Sequence, residues 1–469
     1  MSNDAGSASF ADYLQARRAE KKSLYERHLD PSAVKAARRF GADLSFVSGR
    51  GVMLYDESGQ AYMDCDAGAG VFALGRSHPK MRATMHELLD LELASMVAKD
   101  TPLLAGLLGE TLSRHSPGNL NKLVYTNSGS ETIEAAMKFA RGLTGNPRFI
   151  YLKGDFHGLT YGSMSITDTE THTRSGKGSF GPLLPGCTCI DRDDLEQLKR
   201  ELSVGDVAAL VVEPIHGVEV RPLSDEFIAV AKEYCHRHGS LFIADEVFVG
   251  LGRTGKMFAS DFLDLVPDAI AISKALSGGY MPVGALLMRE NLYDQFFEQP
   301  GAVIHLSTFG NNDLGLAAAL RTIQIIEEEN LLENTQRQGR RLVQGLRRLQ
   351  ERYDIIADVR GIGLLVAVEF KAPGALHGRL SGRFLAKRGL LSHMVAIQLL
   401  RRHRIICPTS GRNNTLRFHP PLTISEPEID QVLESLEMVL QDIYRFPDGI
   451  TRFLTGHAVG MARDRLRGS

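Results

Sequence analysis

Two charged side chains stand where apolar strands should end, and their types suit one another's chemistry. LFIAD (241–245) is a short apolar run of the kind that fills a buried strand, and it closes on Asp245 with Glu246 directly behind. Burying a lone carboxylate is costly, so at least one of these acids needs a cationic partner. The next apolar run, AIAIS (269–273), leads into Lys274 among small residues and glycines, in SKALSGGYMPVG. A lysine normally keeps its ammonium in water, and a surface lysine reaching outward is the ordinary alternative. In open α/β sheets, ligands sit outside the carboxyl ends of the strands, so an acid and an amine on successive strands can reach one pocket.

Two further segments join this pair. In TNSGSETIEAAMKFAR a strand runs into Ser128, Gly129 and Ser130, then into a helix with apolar positions at Ile133, Met137 and Ala140. Ser128 and Glu131 have capping-box spacing. Free N–H groups and hydroxyls at a helix N-terminus suit a phosphate, although a plain cap uses the same residues. In GDFHGLT, Phe156 follows a strand and can cover a flat heterocycle, with His157 beside it; a core aromatic is the alternative. Each segment alone has an ordinary structural explanation. Together they are the four parts that pyridoxal 5'-phosphate requires: a lysine for a Schiff base, an acid that keeps the pyridine nitrogen protonated, an aromatic over the ring, and an anion site.

Gly250, Gly252 and Gly255 complete a literal G-x-G-x-x-G after Glu246. A dinucleotide fingerprint needs those glycines to open a helix directly, with an acid about 20 residues on. Here KMFASDFLDLVPDAIAIS follows, so Pro267 and a new strand arrive too soon. The glycines read as a tight loop that uses their backbone freedom.

The elements that must position these residues alternate along the chain. LVYTN, RFIYL, AALVVEP, LFIADEV and AIAISKA are short apolar strands, separated by helical stretches such as DEFIAVAKEYCHRHG. That alternation predicts an α/β fold on a mainly parallel sheet. GVMLYDESGQAYMDCDAG predicts two short strands around Glu57-Ser58-Gly59, preceded by surface helices within 11–40. A long helical stretch, from LGLAAAL to LRRLQERY, carries the chain into a smaller α+β region. The expected division is an N-terminal arm and part of the small domain (1–60), a large cofactor-binding domain (61–335) and a C-terminal small domain (336–469).

Composition sets the outer limits. With 469 residues, 43% hydrophobic and 23% charged, the chain can bury a sizeable core and is not disordered. A net charge of -2 gives no whole-chain field for nucleic acid or an anionic membrane. The five scattered cysteines read as reduced thiols, the N-terminal MSNDAGSASF lacks the character of a signal peptide, and no apolar run approaches membrane-spanning length. A soluble, cytoplasmic protein is expected.

From about residue 45 to 440 the chain resembles the class III, or omega-type, aminotransferases of the fold-type I pyridoxal phosphate enzymes. The resemblance rests on motifs in the family's order, among them TNSGSETIEAAMKFAR, DFHG, VVEPIHG, IADEVFVGLGRTG, SKALSGGYMPVG, STFGNN and LRFHPPL. Its nearest flavour is that of the ornithine and putrescine aminotransferases. It implies a seven-stranded, mainly parallel sheet in the large domain. It also implies Lys274 as the Schiff-base lysine, Asp245 as partner of the pyridine nitrogen, Phe156 stacked on the ring with His157 beside it, and Val247 on the other face. Ser128, Gly129 and Ser130 correspond to the phosphate turn, and Glu213 to the acid of the E-P motif in the site wall. Arg417 corresponds to an arginine that clamps a carboxylate by a bidentate pair. Phe72 is expected on the substrate side. Thr308 corresponds to a threonine that reaches the phosphate of a neighbouring subunit, which implies a homodimer with shared sites.

The departures fall on the substrate side. Phe248 stands where the family has glutamine, and Glu213-Pro214-Ile215-His216-Gly217-Val218 replaces E-P-I-Q-G-E, so His216 and Val218 supplant a glutamine and a glutamate. Gly310-Asn311 replaces a glycine pair. Residues 374–404 are rich in arginine and lysine, as a solvated surface or as a rim for an anionic substrate. The expected activity is transfer of an amino group from an amine or amino acid to an oxo-acid (2-oxoglutarate or pyruvate) in a ping-pong cycle, with Lys274 as general base. A racemase, epimerase or aminomutase on the same scaffold uses the same lysine, aspartate and phosphate turn, and is the alternative.

Overall fold

In the computed structural model the described residues are 9–32, 34–35, 43–97, 99–168, 177–297, 307–371, 390–410 and 414–445. Two short exposed helices, Phe10–Arg17 and Lys21–His28, precede β1 (Phe46–Arg50), β2 (Met53–Asp56) and β3 (Ala61–Asp64). β2 and β3 pair antiparallel around the turn read from Glu57-Ser58-Gly59. Asp56 fixes that turn by accepting the N–H groups of Ser58 and Gln60.

The central sheet comprises β4 (Lys122–Thr126), β5 (Arg148–Leu152), β6 (Cys187–Ile190), β7 (Val207–Val212), β10 (Leu241–Asp245), β11 (Ala269–Ile272) and β12 (Gly284–Met288). A small hairpin of β8 (Ile215–His216) and β9 (Arg221–Pro222) intervenes after β7. The strand order is β4-β12-β11-β10-β7-β5-β6, and β12 alone runs antiparallel to its neighbours. Every residue of β7, β10, β11 and β12 is buried, as in a sheet with helices on both faces. The seven-stranded α/β fold expected from the sequence is therefore present.

Helix α1 (Gly129–Thr144) covers one face with Ile133, Ala136, Met137 and Ala140, a run at helical spacing. Gly145, at φ 70°, ends it in the left-handed conformation that a side chain disfavours. Helix α2 (Asp225–His238) covers the other face through Phe227, Ile228, Ala231 and Cys235, capped by Ser224 and closed by Gly239. Each large apolar side chain so removed from water contributes roughly 1.5–3 kcal/mol, before its ordering entropy is counted.

The long helical stretch comprises two helices, α3 (Asp313–Glu328) and α4 (Leu331–Arg352). Asn330 breaks it at φ 51°, a conformation asparagine tolerates better than most residues. Beyond α4, β13 (Ile356–Ile362), β14 (Leu365–Phe370), β16 (Thr409–Ser410) and β17 (Thr415–Phe418) form a second sheet. Strand β15 (Ile405–Ile406) instead pairs parallel with β3, so the first sheet joins early and late parts of the chain. The final described helix, α5 (Glu426–Arg445), lies against α4. No helix among the described residues is long and apolar enough to cross a membrane.

Candidate active site

Five loops leave the carboxyl ends of β4, β5, β7, β10 and β11 and converge on one cavity of about 430 Å³. Its lining includes Ser128, Gly129, Ser130, Phe156, His157, Glu213, Asp245, Val247, Lys274 and Arg417. A larger surface groove of about 820 Å³ lies at the start of β10, beside Ser240 and Arg289, away from the acid and the lysine. The smaller cavity is the candidate site, because the convergent charged groups lie there.

Asp245 ends β10 with 3% of its surface exposed. Its Oδ2 lies 2.7 Å from His157 Nδ1, and its Oδ1 accepts the Val247 N–H at 3.0 Å. The cationic partner demanded by the sequence is thus an imidazole. Glu246 takes no cation; it accepts from the Ala259 and Ser260 N–H groups and from Ser260 Oγ, at the start of the short helix Ala259–Phe262. Burial pushes its carboxyl up to about 7, with those hydrogen bonds opposing. The two adjacent acids have separate tasks.

Lys274 follows β11 at φ 36°, an uncommon backbone conformation for a lysine. Burial pushes its ammonium below the ordinary lysine range, while Asp245 and Glu213 pull it upward. No hydrogen bond or ion pair to Nζ occurs among the described residues; its nearest recorded partner is the face of Phe248, 4.6 Å away at the centroid. Phe248 is edge-on to His419 at 5.2 Å and fills the space left by Gly217, where a Cβ would come within 2.7 Å of the ring.

The anion turn is similarly built. Ser128 caps α1 by accepting the Glu131 N–H at 3.2 Å. Glu131 does not close the expected box on Ser128; it reaches back to the Asn127 N–H at 2.8 Å. Gly129 is required because a Cβ there would lie 2.6 Å from Val247 Cγ1. Glu213 holds the wall, its two oxygens accepting the N–H groups of Phe156 at 2.7 Å and Gly217 at 2.6 Å. Glu213, Asp155 and His216 come within 4.8 Å of one another, but all three are already engaged. His216 bonds Gly154 O and the Glu219 N–H, and Asp155 bonds Arg192 and the Glu213 N–H.

Arg417, on β17, presents a buried Nε without a hydrogen-bond partner among the described residues. Burial lowers its guanidinium below the ordinary value, against the charges of Asp66 and Glu213. His419 is pushed well below its usual range, first by burial and then by Arg417 and Arg253. It is therefore neutral, and its Nδ1 donates to Asp66 O at 2.7 Å.

Two expected residues are not among those lining the cavity. Phe72 packs beside Gly68 and Gly279, with the Arg76 guanidinium 3.7 Å from its ring centre. Thr308 is exposed on the turn 307–310. In the basic stretch 374–404, Arg379, Arg383, Lys387 and Arg388 lie outside the described residues; Arg402 pairs with Asp442. Sequence reasoning passed over Asp66, His419, Asp155 and Arg192. Asp155 adjoins Phe156 in GDFHG, but Arg192 carries no motif and meets Asp155 across 37 positions.

Comparison with known proteins decides what this geometry serves. A family model described as aminotransferase class-III matches residues 36–440. The chain belongs to the class-III aminotransferases. The putrescine aminotransferase of Pectobacterium atrosepticum is 33% identical over 450 residues, 92% of this chain and 91% of that protein. The omega transaminase of Pseudomonas jessenii, solved in complex with PMP, superposes with a TM-score of 0.77 at 27% identity, covering 85% of this chain and 92% of that one. The ornithine aminotransferase of Toxoplasma gondii gives 0.75 at 25% identity, covering 94% and 97%. This class-III aminotransferase catalyses pyridoxal phosphate-dependent transamination between small amino donors and oxo-acids.

Proposed function

We propose that the cofactor occupies the 430 Å³ cavity, with its aldehyde toward Lys274, its ring nitrogen toward Asp245 and its phosphate on Ser128, Gly129 and Ser130. The observation that carries this reading is Lys274 itself, a half-buried lysine without a hydrogen-bond or ion-pair partner among the described residues, in the same cavity as a buried acid. The cradle fits a flat ring: Phe156 and Val247 both line it, and Gly129 and Gly158 keep side-chain bulk away from the phosphate end. When bound, the cofactor supplies an electron sink for the pair released as the substrate C–H bond breaks.

The chain's own residues do the rest. Lys274 Nζ is the amine that would hold the cofactor's aldehyde as a Schiff base and give way to an incoming substrate amine. The Lys274 amine, which burial disfavours in the charged form, would take the proton from the substrate's amine-bearing carbon as general base. Asp245, held by His157 and the Val247 N–H, would face the ring nitrogen. Phe248 screens Nζ from water with an apolar face. Arg417 binds the carboxylate of the acceptor, for which 2-oxoglutarate or pyruvate serves. The donor is a primary amine of the putrescine or ornithine kind, in keeping with the relatives so named.

The Arg417 assignment is separable from the rest. Arg417→Ala is expected to raise KM for 2-oxoglutarate by about 30-fold or more, since a buried charge-assisted pair is worth about 2 kcal/mol. The half-reaction with an uncharged amine donor should be little changed. An equal loss in both half-reactions would remove the clamp.

The active unit we propose is a homodimer. Asn127 Nδ2 donates to Ser307 Oγ at 2.6 Å, tying the Thr308 turn to the residue before Ser128. Thr308 and Phe309 then face outward, and Leu103, Leu159 and Tyr161 are further exposed apolar side chains. In this reading the exposed Thr308 reaches the phosphate end of a second copy's cavity. Sedimentation should give twice the mass of one chain; a monomer with full activity would contradict the shared site. All five cysteines are free thiols, which suits a reducing cytoplasm.

A further inference from the structure

Behind Asp245 lies a row of charged side chains to which the transamination chemistry assigns no task. Arg192, following β6, donates from Nη2 to Asp155 Oδ1 at 2.5 Å, and from Nη1 and Nη2 to Glu213 O at 3.2 and 3.3 Å. The Arg192 side chain keeps 12% of its surface exposed, whereas that of Asp155 is fully buried. Asp155 Oδ2 accepts the Glu213 N–H at 2.9 Å and lies 3.9 Å from His157 Nε2. His157 closes the row with Nδ1 2.7 Å from Asp245 Oδ2.

The geometry decides the charge of the imidazole. Nδ1 must carry a proton, because it meets a carboxylate oxygen at hydrogen-bond distance. If the ring were neutral, Nε2 would turn a lone pair toward the Asp155 carboxylate, both side chains being fully buried. A proton on Nε2 makes that contact attractive. Nε2 is buried and has no hydrogen-bond partner among the described residues, so Asp155 is its nearest recorded charge. Burial alone would lower the basicity of His157, but Asp245, Asp155 and Glu213 together raise it above the usual value. Burial pushes the Asp155 carboxyl up, and Arg192 is the largest charge opposing that. The row thus sets guanidinium, carboxyl, imidazole and carboxyl groups in alternation.

We propose that Arg192, Asp155 and His157 are positioning residues for Asp245, a buried row that fixes its carboxylate as an anion directed at the cofactor's ring nitrogen. This rests on the reading that Asp245 faces that nitrogen. Arg192, at the outer end, holds Asp155 ionised; Asp155 holds the second proton on His157; His157 locks Asp245. The other charged groups around the row are Glu213 from the end of β7, His216 from β8 and Lys274 from the end of β11. None of them replaces the Arg192 contact to Asp155.

The test is the titration of His157, read by NMR in protein labelled with ¹⁵N at histidine, with and without cofactor. The resonance is identified by its loss in His157→Gln. In the unaltered protein the ring should stay doubly protonated well above the ordinary midpoint of about 6.5. Arg192→Gln leaves Asp155 buried without its cation, so Asp155 takes up a proton; Asp155→Asn removes the charge directly. Either should lower the His157 midpoint by about one pH unit or more, and Arg192→Lys should restore it. A merely structural role for Arg192 would leave the midpoint unmoved. A neutral ring at pH 7 in the unaltered protein overturns the proposal even if no variant folds, as does an unmoved midpoint in both variants. Either result, with the cofactor still joined to Lys274, sinks the row and leaves the cavity assignment standing. A cofactor joined elsewhere, even with the midpoint shifted as expected, sinks the cavity assignment and with it the row's task at the ring nitrogen.

Discussion

Lys274→Ala protein is expected to fold, to bind the cofactor without a covalent bond, and to lose transamination by about 10³-fold or more. The loss combines two roles of one nitrogen. It anchors the aldehyde carbon and then moves the substrate proton, and general-base transfer alone is commonly worth about 10²–10⁴-fold. The fold should survive because Nζ makes no hydrogen bond or ion pair among the described residues and removing it exposes no buried partner. Small primary amines added to the solution should recover part of the proton transfer. The checks are borohydride reduction, which should no longer fix the cofactor to protein, and the rate of each half-reaction. A variant that keeps both the reducible bond and the rate would show that another amine does this work.

The second large effect belongs to Asp245. Asp245→Asn keeps the side chain's size but removes the charge that opposes a positive ring nitrogen. Rate losses of about 10²–10³-fold follow when one group aimed at developing charge is removed. The covalent bond to Lys274 should persist, so the variant separates holding the cofactor from using it. The Asp245 charge also keeps Lys274 more basic than burial alone would. Without it the ammonium loses its proton more readily, and the acid limb of the rate profile should move to lower pH. A rate equal to that of the unaltered protein, with the cofactor bound, would contradict the electron-sink assignment.

The sheet, and the residues at its strand ends that line the cavity, were legible because they depend on local signals. Buried parallel strands are continuous apolar runs, and each functional residue stands within a few positions of such a run's end. The glycine run after Glu246 was legible in the negative sense: Gly252 packs under Leu332 and Leu422, and Gly255 under Gln336, in close contacts that leave no room for a Cβ. Hydrophobic periodicity could not show the break at Asn330, because the pattern continues through it on both sides. Nor could it show Arg253, fully buried with its Nη1 hydrogen-bonded to Pro420 O, or Arg192 at the back of the site. Such groups are stabilised by partners far along the chain, and nothing in their immediate neighbours marks them as buried. Phe72, expected on the substrate side, has its ring against the Arg76 guanidinium.

The racemase and aminomutase alternative uses the same lysine and acid, so those residues alone cannot separate the two chemistries. The class-III aminotransferase family and its transaminase relatives place this chain with amino-group transfer. Arg417 fits that assignment, since an acceptor carboxylate needs a buried cation and this one has an unused donor.

The central claim is that one nitrogen, Lys274 Nζ, joins the cofactor. The most direct measurement is to reduce the unaltered holoenzyme with borohydride, digest it and locate the modified lysine by mass spectrometry. The account predicts a single pyridoxyl-modified peptide containing AISKALSGGY, with the label on Lys274. A label on any other lysine, or none in protein that contains the cofactor and turns over, would contradict it.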